Sequence, residues 1–191
     1  MNEHEFSEDV ENALKVLKQG GIILYPTDTI WGIGCDATNE QAAQRIIKIK
    51  QRPSEKSFVV LVSSEKDILL YTAAPDLSVF DYLQTIKKPT TVIYEHALGL
   101  AESVCSDDGS VAIRICNERF CNHLLNRFKK PVVSTSANIS GEAAPQNFSE
   151  ISPIIKHSVD YIVQYKQQDI AAKTPSSIIR WKNGNPEIIR P

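Results

Sequence analysis

Between residues 22 and 62 a short apolar run, a helix-spaced run and a second apolar run follow one another. Ile22 to Tyr25 reads as a strand. Asn39 then stands as an N-cap before Ala42, Ala43, Ile46, Ile47 and Ile49, which recur at helical spacing. Pro53 forbids continuation of that helix, and SFVVLVS beyond it reads as a buried strand. The order is β-α-β, the hallmark of an α/β chain.

The same mixture continues in both directions. Upstream, Ser7 as N-cap, Glu8 and Asp9 in the first turn, the apolar face Val10, Leu14 and Leu17, and Gly20-Gly21 as a stop predict a first helix. Downstream, DLSVFDYLQTI predicts a helix, TTVIY and VAIRI strands, RFCNHLLNRF an amphipathic helix, and PVVST, YIVQY and SSIIRW strands. The last of these turns through Asn183-Gly184, a hairpin signal, into EIIRP. Helices and strands intermix without a linker, repeat or low-complexity segment. With 191 residues and 42% hydrophobic content the chain can bury a sizeable core. The expectation is one α/β domain over residues 1–191 with a twisted mixed β-sheet and flanking helices.

Charge narrows function only a little. A net charge of -2 argues against a dedicated nucleic-acid coat or a membrane-surface protein, although it permits a local basic groove. Cys35, Cys105, Cys116 and Cys121 form no CxxC pair, and the four histidines show no HExxH spacing, so a structural metal is not expected. The N-terminus, MNEHEFSEDVEN, is acidic and polar where a signal peptide would be basic and then apolar. No apolar run approaches transmembrane length. These features predict free thiols, no membrane association and a cytoplasmic location.

Four stretches concentrate groups that could carry chemistry. Gly32-Ile33-Gly34-Cys35-Asp36-Ala37 fits GxGxxA, but Pro26 and several turn-prone residues separate it from the strand that should feed a dinucleotide fingerprint. Lys48, Lys50, Arg52 and Lys56 cluster where the second helix gives way to a loop, either as solvated cations or as ligand groups. In YPTDTIWGIG, Thr27 and Thr29 flank Asp28 ahead of two glycines. They could form a self-bonded turn, or glycines that let a ligand approach beside hydroxyls that orient it. VVSTSANISG gathers four hydroxyls and an asparagine after an apolar pair, as a helix-capping loop or as a hydrogen-bonding surface.

Taken together, Tyr25-Pro26-Thr27-Asp28-Thr29, Lys50-Gln51-Arg52-Pro53, Ser136-Ala137-Asn138 with Ser140-Gly141, and Ser176-Ser177 resemble, in order and spacing, the family of the threonylcarbamoyl-AMP synthases. That family comprises the YrdC and Sua5 proteins together with a YciO branch. The resemblance implies a YrdC-like fold around a concave basic cavity. It also implies a reaction that joins L-threonine, bicarbonate or CO2, and ATP into L-threonylcarbamoyladenylate and pyrophosphate, for the t6A modification of tRNA. Mg2+ would travel with the nucleotide, without protein side-chain ligands.

By positional match, Lys50, Arg52, Ser136 and Asn138 would form a catalytic tetrad. Arg52, Lys56, Ser110, Ser136 and Arg190 would contact ATP. Thr29, Arg114, Ser134 and Ser176 would hold threonine, with Arg114 facing its carboxylate. The implied partners are the protein machinery of t6A transfer and, through the basic cavity, tRNA or double-stranded RNA. The chain departs from the family in three places. Lys88-Pro89-Thr90-Thr91-Val92 stands where Pro-Gly-Pro-Leu-Thr is usual, Leu61 replaces a histidine of the threonine pocket, and the C-terminal domain of the longer Sua5 proteins is not expected. Two other readings stay open: a YciO-like nucleotide-binding paralogue with another substrate, and an RNA-binding module.

Overall fold

The computed structural model describes residues 5–51, 57–171 and 173–191. Pro53, Arg52 and Lys56 lie outside them. In chain order the elements are α1 (Ser7–Lys18), β1 (Ile23–Tyr25), β2 (Gly32–Gly34), α2 (Glu40–Lys50), β3 (Val59–Val62), α3 (Glu65–Tyr71), α4 (Ser78–Thr85), β4 (Thr90–Tyr94), β5 (Val111–Ile115), α5 (Arg119–Phe128), β6 (Val132–Ser136), α6 (Pro153–Ser158), β7 (Tyr161–Ile162), β8 (Ser177–Lys182) and β9 (Asn185–Arg190). The strands join in the order β7-β1-β2-β6-β3-β5-β4-β8-β9. The β1–β7, β3–β5 and β4–β8 pairings are parallel and the other five antiparallel, so the sheet is mixed as the sequence predicts.

Most elements follow their local signals. The Asn39 side chain accepts the Ala42 N–H at 3.1 Å and so caps α2. The β8–β9 hairpin turns on Asn183 and Gly184, both at positive φ (51° and 74°), the conformation a two-residue turn requires. The apolar stripe of α1 packs with α5, where the ring of buried Phe6 meets Phe120 edge-on at 6.3 Å between centroids.

Three boundaries differ from expectation. Ser7 is the first helical residue of α1 and not its cap: Phe6 takes the cap position and offers no side-chain bond there, because its ring is committed to the core. The strand in YIVQY stops at Ile162, since the N–H groups of Gln164 and Tyr165 turn away to the buried Asp9 carboxylate at 2.9 and 2.8 Å. The third difference is the GxG segment, which is neither a turn nor a phosphate loop but an interior strand, β2.

Tyr25 explains that strand. Its ring crosses from β1 over β2, and its hydroxyl donates to the Val133 carbonyl on β6 at 3.0 Å. A Cβ on Gly34 would stand 2.4 Å from the Val133 carbonyl oxygen and 2.7 Å from Tyr25 Cε1; one on Gly32 would meet Ser134 Oγ at 3.0 Å. Glycine is needed at position 34 so that a tyrosine and a neighbouring strand can close over it.

Candidate functional site

Sheet register brings the hydroxyls and one arginine to a common place. Gly32 pairs with Ser136, Val59 with Ser134, and Leu61 with Arg114. Alternation along β6 puts Ser134 and Ser136 on the same face. The loop before β2 adds Thr29, the residue ahead of β8 adds Ser176, and the end of β9 adds Arg190. Thr29, Arg114, Ser134, Ser136, Ser176 and Arg190, with Gly32 and Val59, line a cavity of about 350 Å3, together with Asn138 and Glu142.

Arg114 is 4% exposed. Its Nη2 lies 3.2 Å from Asp28 Oδ1, an ion pair whose alignment leaves Arg114 Nε without a hydrogen-bond partner among the described residues. Arg190 approaches from the other side, its Nε and Nη2 donating to the Ser176 carbonyl at 3.1 and 2.7 Å. Partial burial, and then the nearby charge of Arg114, lower the pKa of the Arg190 guanidinium. Two guanidinium groups whose charges repel, only one of them paired with a carboxylate, the partly exposed Asp28, favour a bound anion.

The hydroxyls around them are partly spent on one another. Thr27 Oγ1 donates to the Ile30 carbonyl at 2.7 Å, accepts the Thr29 N–H at 3.1 Å, and stands 3.0 Å from Thr29 Oγ1. The self-bonded turn expected for this motif is therefore present, and it fixes Thr29 at the cavity wall. Ser176 Oγ lies 2.8 Å from Thr91 Oγ1, both buried.

Lys50 occupies a different place from the one its cationic neighbours suggest. It is 2% exposed, and its Nζ donates to the carbonyl of Ser136 at 2.5 Å and of Asn138 at 2.7 Å, with Asn138 Oδ1 at 3.3 Å. In this structure Lys50 fastens the end of α2 to the loop after β6. Asn138 is held from its other side by Nδ2 donating to the Glu142 carbonyl at 2.7 Å. Lys50, Ser136 and Asn138 are thus brought together as a structural knot beside the cavity.

Ser110 is not brought to this cavity. It is buried in a tight turn before β5, its N–H donating to Asp108 Oδ1 at 2.9 Å, four residues upstream of Arg114. Arg52 and Lys56 fall outside the described residues. Leu61 stands in register with Arg114 but is 1% exposed and does not line the cavity. Two contributors went without a role in the sequence. Asp28 is visible only as the acid inside the Thr-Asp-Thr motif, and Glu142 carries no sequence signal of its own.

Comparison with known proteins shows the family and the fold. The family model described as Telomere recombination, Sua5_yciO_yrdC, matches residues 15–191. A Threonylcarbamoyl-AMP synthase of Psychromonas ingrahamii is 31% identical over 180 residues, covering 92% of this chain and 94% of the relative. Among solved structures, P. abyssi Sua5 complexed with L-threonine superposes with a TM-score of 0.85 at 20% identity, covering 96% of this chain; the chain spans only 54% of that protein. E. coli YciO superposes at 0.81 with 20% identity over 96% of this chain and 88% of its own.

Proposed function

Because the chain belongs to the Sua5/YciO/YrdC family, we propose that it is an L-threonylcarbamoyladenylate synthase. It forms threonylcarbamoyl-AMP and pyrophosphate from L-threonine, bicarbonate or CO2, and ATP, for the t6A modification of tRNA. The observation that carries this reading is the single cavity shared by Arg114, Arg190 and the hydroxyl groups of Thr29, Ser134, Ser136 and Ser176.

Arg114, already half-committed to Asp28, takes the amino-acid carboxylate on its remaining donors, and Thr29, Ser134 and Ser176 supply short hydrogen-bonding groups around the amino acid. Its unprotonated amine captures CO2 and gives up a proton to form the carbamate. A carbamate oxygen then bonds to the α-phosphorus as the bond to pyrophosphate breaks. The protein's work is to hold two anions in line and neutralise their charge. Arg190 and Ser136 serve the nucleotide, joined by Arg52 and Lys56, which follow α2 in sequence. Lys50 acts through Ser136 and Asn138 as a positioning residue.

Mg2+ supplies charge neutralisation at the phosphates when bound. No helix among the described residues is long and apolar enough to cross a membrane. A cytoplasmic setting, with the t6A-transfer proteins and tRNA as partners, completes the proposal.

One observation favours a second reading. Leu61, buried beside Arg114, offers no polar group where the family's threonine pocket has histidine. A nucleotide-binding paralogue with another amino-acid-like substrate would carry such a change. The experiment is pyrophosphate release from ATP and Mg2+ by the purified protein, omitting threonine and bicarbonate in turn, with serine as competitor. Release that requires both establishes the synthase; ATP binding without either dependence establishes the paralogue.

A further inference from the structure

A second, larger cavity of about 730 Å3 opens beside the first. The two share a wall, because Asp28 lines the larger cavity while its partner Arg114 lines the smaller. Five cations face the larger one: Lys87, Lys88, Arg119, Lys166 and Lys173. None of them serves the chemistry proposed above.

Two of the three acids in its lining are paired with cations. Asp28 pairs with Arg114 across the wall. Glu118 caps α5 through the Cys121 N–H at 3.0 Å and accepts Lys166 Nζ at 2.9 Å. Glu65 accepts the Gln84 amide at 3.2 Å. Lys173 has only a 3.6 Å contact with Asp169. Lys87 and Lys88 have no carboxylate partner among the described residues. They are adjacent in the short segment entering β4.

With Lys166 matched by Glu118 and Asp28 by Arg114, the lining still sets Lys87, Lys88, Arg119 and Lys173 against the single carboxylate of Glu65, and such a concavity matches a compact polyanion better than a single carboxylate. The volume suits a small molecule and falls within the usual range of ligand pockets, about 300–1,000 Å3. We infer that this cavity is a second binding site, separate from the first, for a small molecule that carries a diphosphate group. Free pyrophosphate and a nucleoside diphosphate share that chemistry.

The test is calorimetric titration of the full chain with inorganic pyrophosphate and, separately, with ADP, on the wild type, on Lys87→Glu/Lys88→Glu, and on Arg190→Ala. The two lysines are exposed, so the double variant is expected to keep the wild-type thermal midpoint. Lys173→Glu is an independent variant from another element. The expected result is a class of sites that survives Arg190→Ala and weakens by about tenfold or more in each lysine variant, since two or one charge-assisted contacts are reversed. Pyrophosphate alone binding there would identify an inorganic ligand, and tighter ADP binding a nucleotide. Unchanged binding in both lysine variants, loss only in Arg190→Ala, or no heat from either probe at millimolar concentration would overturn the inference. Because binding is read without turnover, its outcome is independent of whether the synthase assay succeeds.

Discussion

The Lys50 ammonium lies 2.7 Å from the main-chain oxygen of Asn138, where the last turn of α2 meets the loop that follows β6. The same junction is closed from the main chain, the Ser140 N–H donating to the Lys50 carbonyl at 2.8 Å. A buried charge is here satisfied by neutral oxygens, and those oxygens belong to the loop that carries Ser136 and Asn138 to the cavity. Fold and site meet at this residue.

Lys50→Met is therefore expected to strand two carbonyl oxygens and to loosen the loop. The expected cost is about 1–3 kcal/mol of stability, accompanied by slower pyrophosphate release. Urea unfolding midpoints at unchanged m, read beside the turnover assay, check this. Lost turnover with wild-type stability would return Lys50 to direct ligand contact.

Gly34 makes a prediction of another kind. A methyl group at this position collides with main chain and with an aromatic ring whose hydroxyl is tied to β6, so neither neighbour can yield cheaply. Gly34→Ala should cost about 3 kcal/mol, at the upper end of overpacking in a dense core, or prevent folding outright. Tyr25→Phe/Gly34→Ala, in which the ring is released from the Val133 carbonyl, should recover part of the loss. Thermal unfolding of the three proteins decides it.

Local signals carried most of the fold, because Asn39, the Asn183-Gly184 turn and the periodic apolar faces act over a few residues. What escaped was set by distant partners. Strand β2 is hidden in Gly-Ile-Gly because its reason is the ring of Tyr25 and the carbonyl of Val133. YIVQY ends early because Asp9, on α1, captures its N–H groups. The hydroxyl-rich loop was legible as a candidate because its family pattern is ordered along the chain. The inward turn of Lys50 was not, since a lysine in a cationic run looks the same in sequence whether it is solvated or buried.

Asp160 supplies a pH-dependent prediction. Its Oδ2 accepts the Ile22 N–H at 2.7 Å and lies 3.0 Å from Arg45 Nη1, fixing the start of β1 beside β7. The Arg45 hydrogen bond lowers its pKa against the opposing effect of partial burial, with the Ile22 N–H adding to the lowering. A depressed carboxyl stabilises the fold above its unfolded value of about 3.9 and loses that contribution as pH falls through the lower folded value. Asp160→Asn retains an acceptor for Ile22, so it isolates the charge. The variant should be less stable by about 1 kcal/mol or less near neutral pH, given the exposure of the pair. The difference from wild type should vanish once pH drops below the folded pKa. Urea midpoints measured from pH 7 downward give the comparison, and a difference that grows on acidification would contradict the assignment.

Ser176 separates the two halves of the proposed pocket. Its main-chain oxygen holds Arg190 and its hydroxyl meets Thr91, so Ser176→Ala keeps the arginine in place and removes only the hydroxyl. If that hydroxyl serves the amino acid, KM for threonine should rise by about tenfold, the value of one hydrogen bond near 1.4 kcal/mol. KM for ATP should stay within about twofold, because no nucleotide contact is lost. Steady-state pyrophosphate release with each substrate varied in turn supplies both numbers. An equal rise in both would mean that Ser176 supports the cavity as a whole through Thr91, and the division into amino-acid and nucleotide residues would have to be redrawn around Arg114 and Arg190 alone.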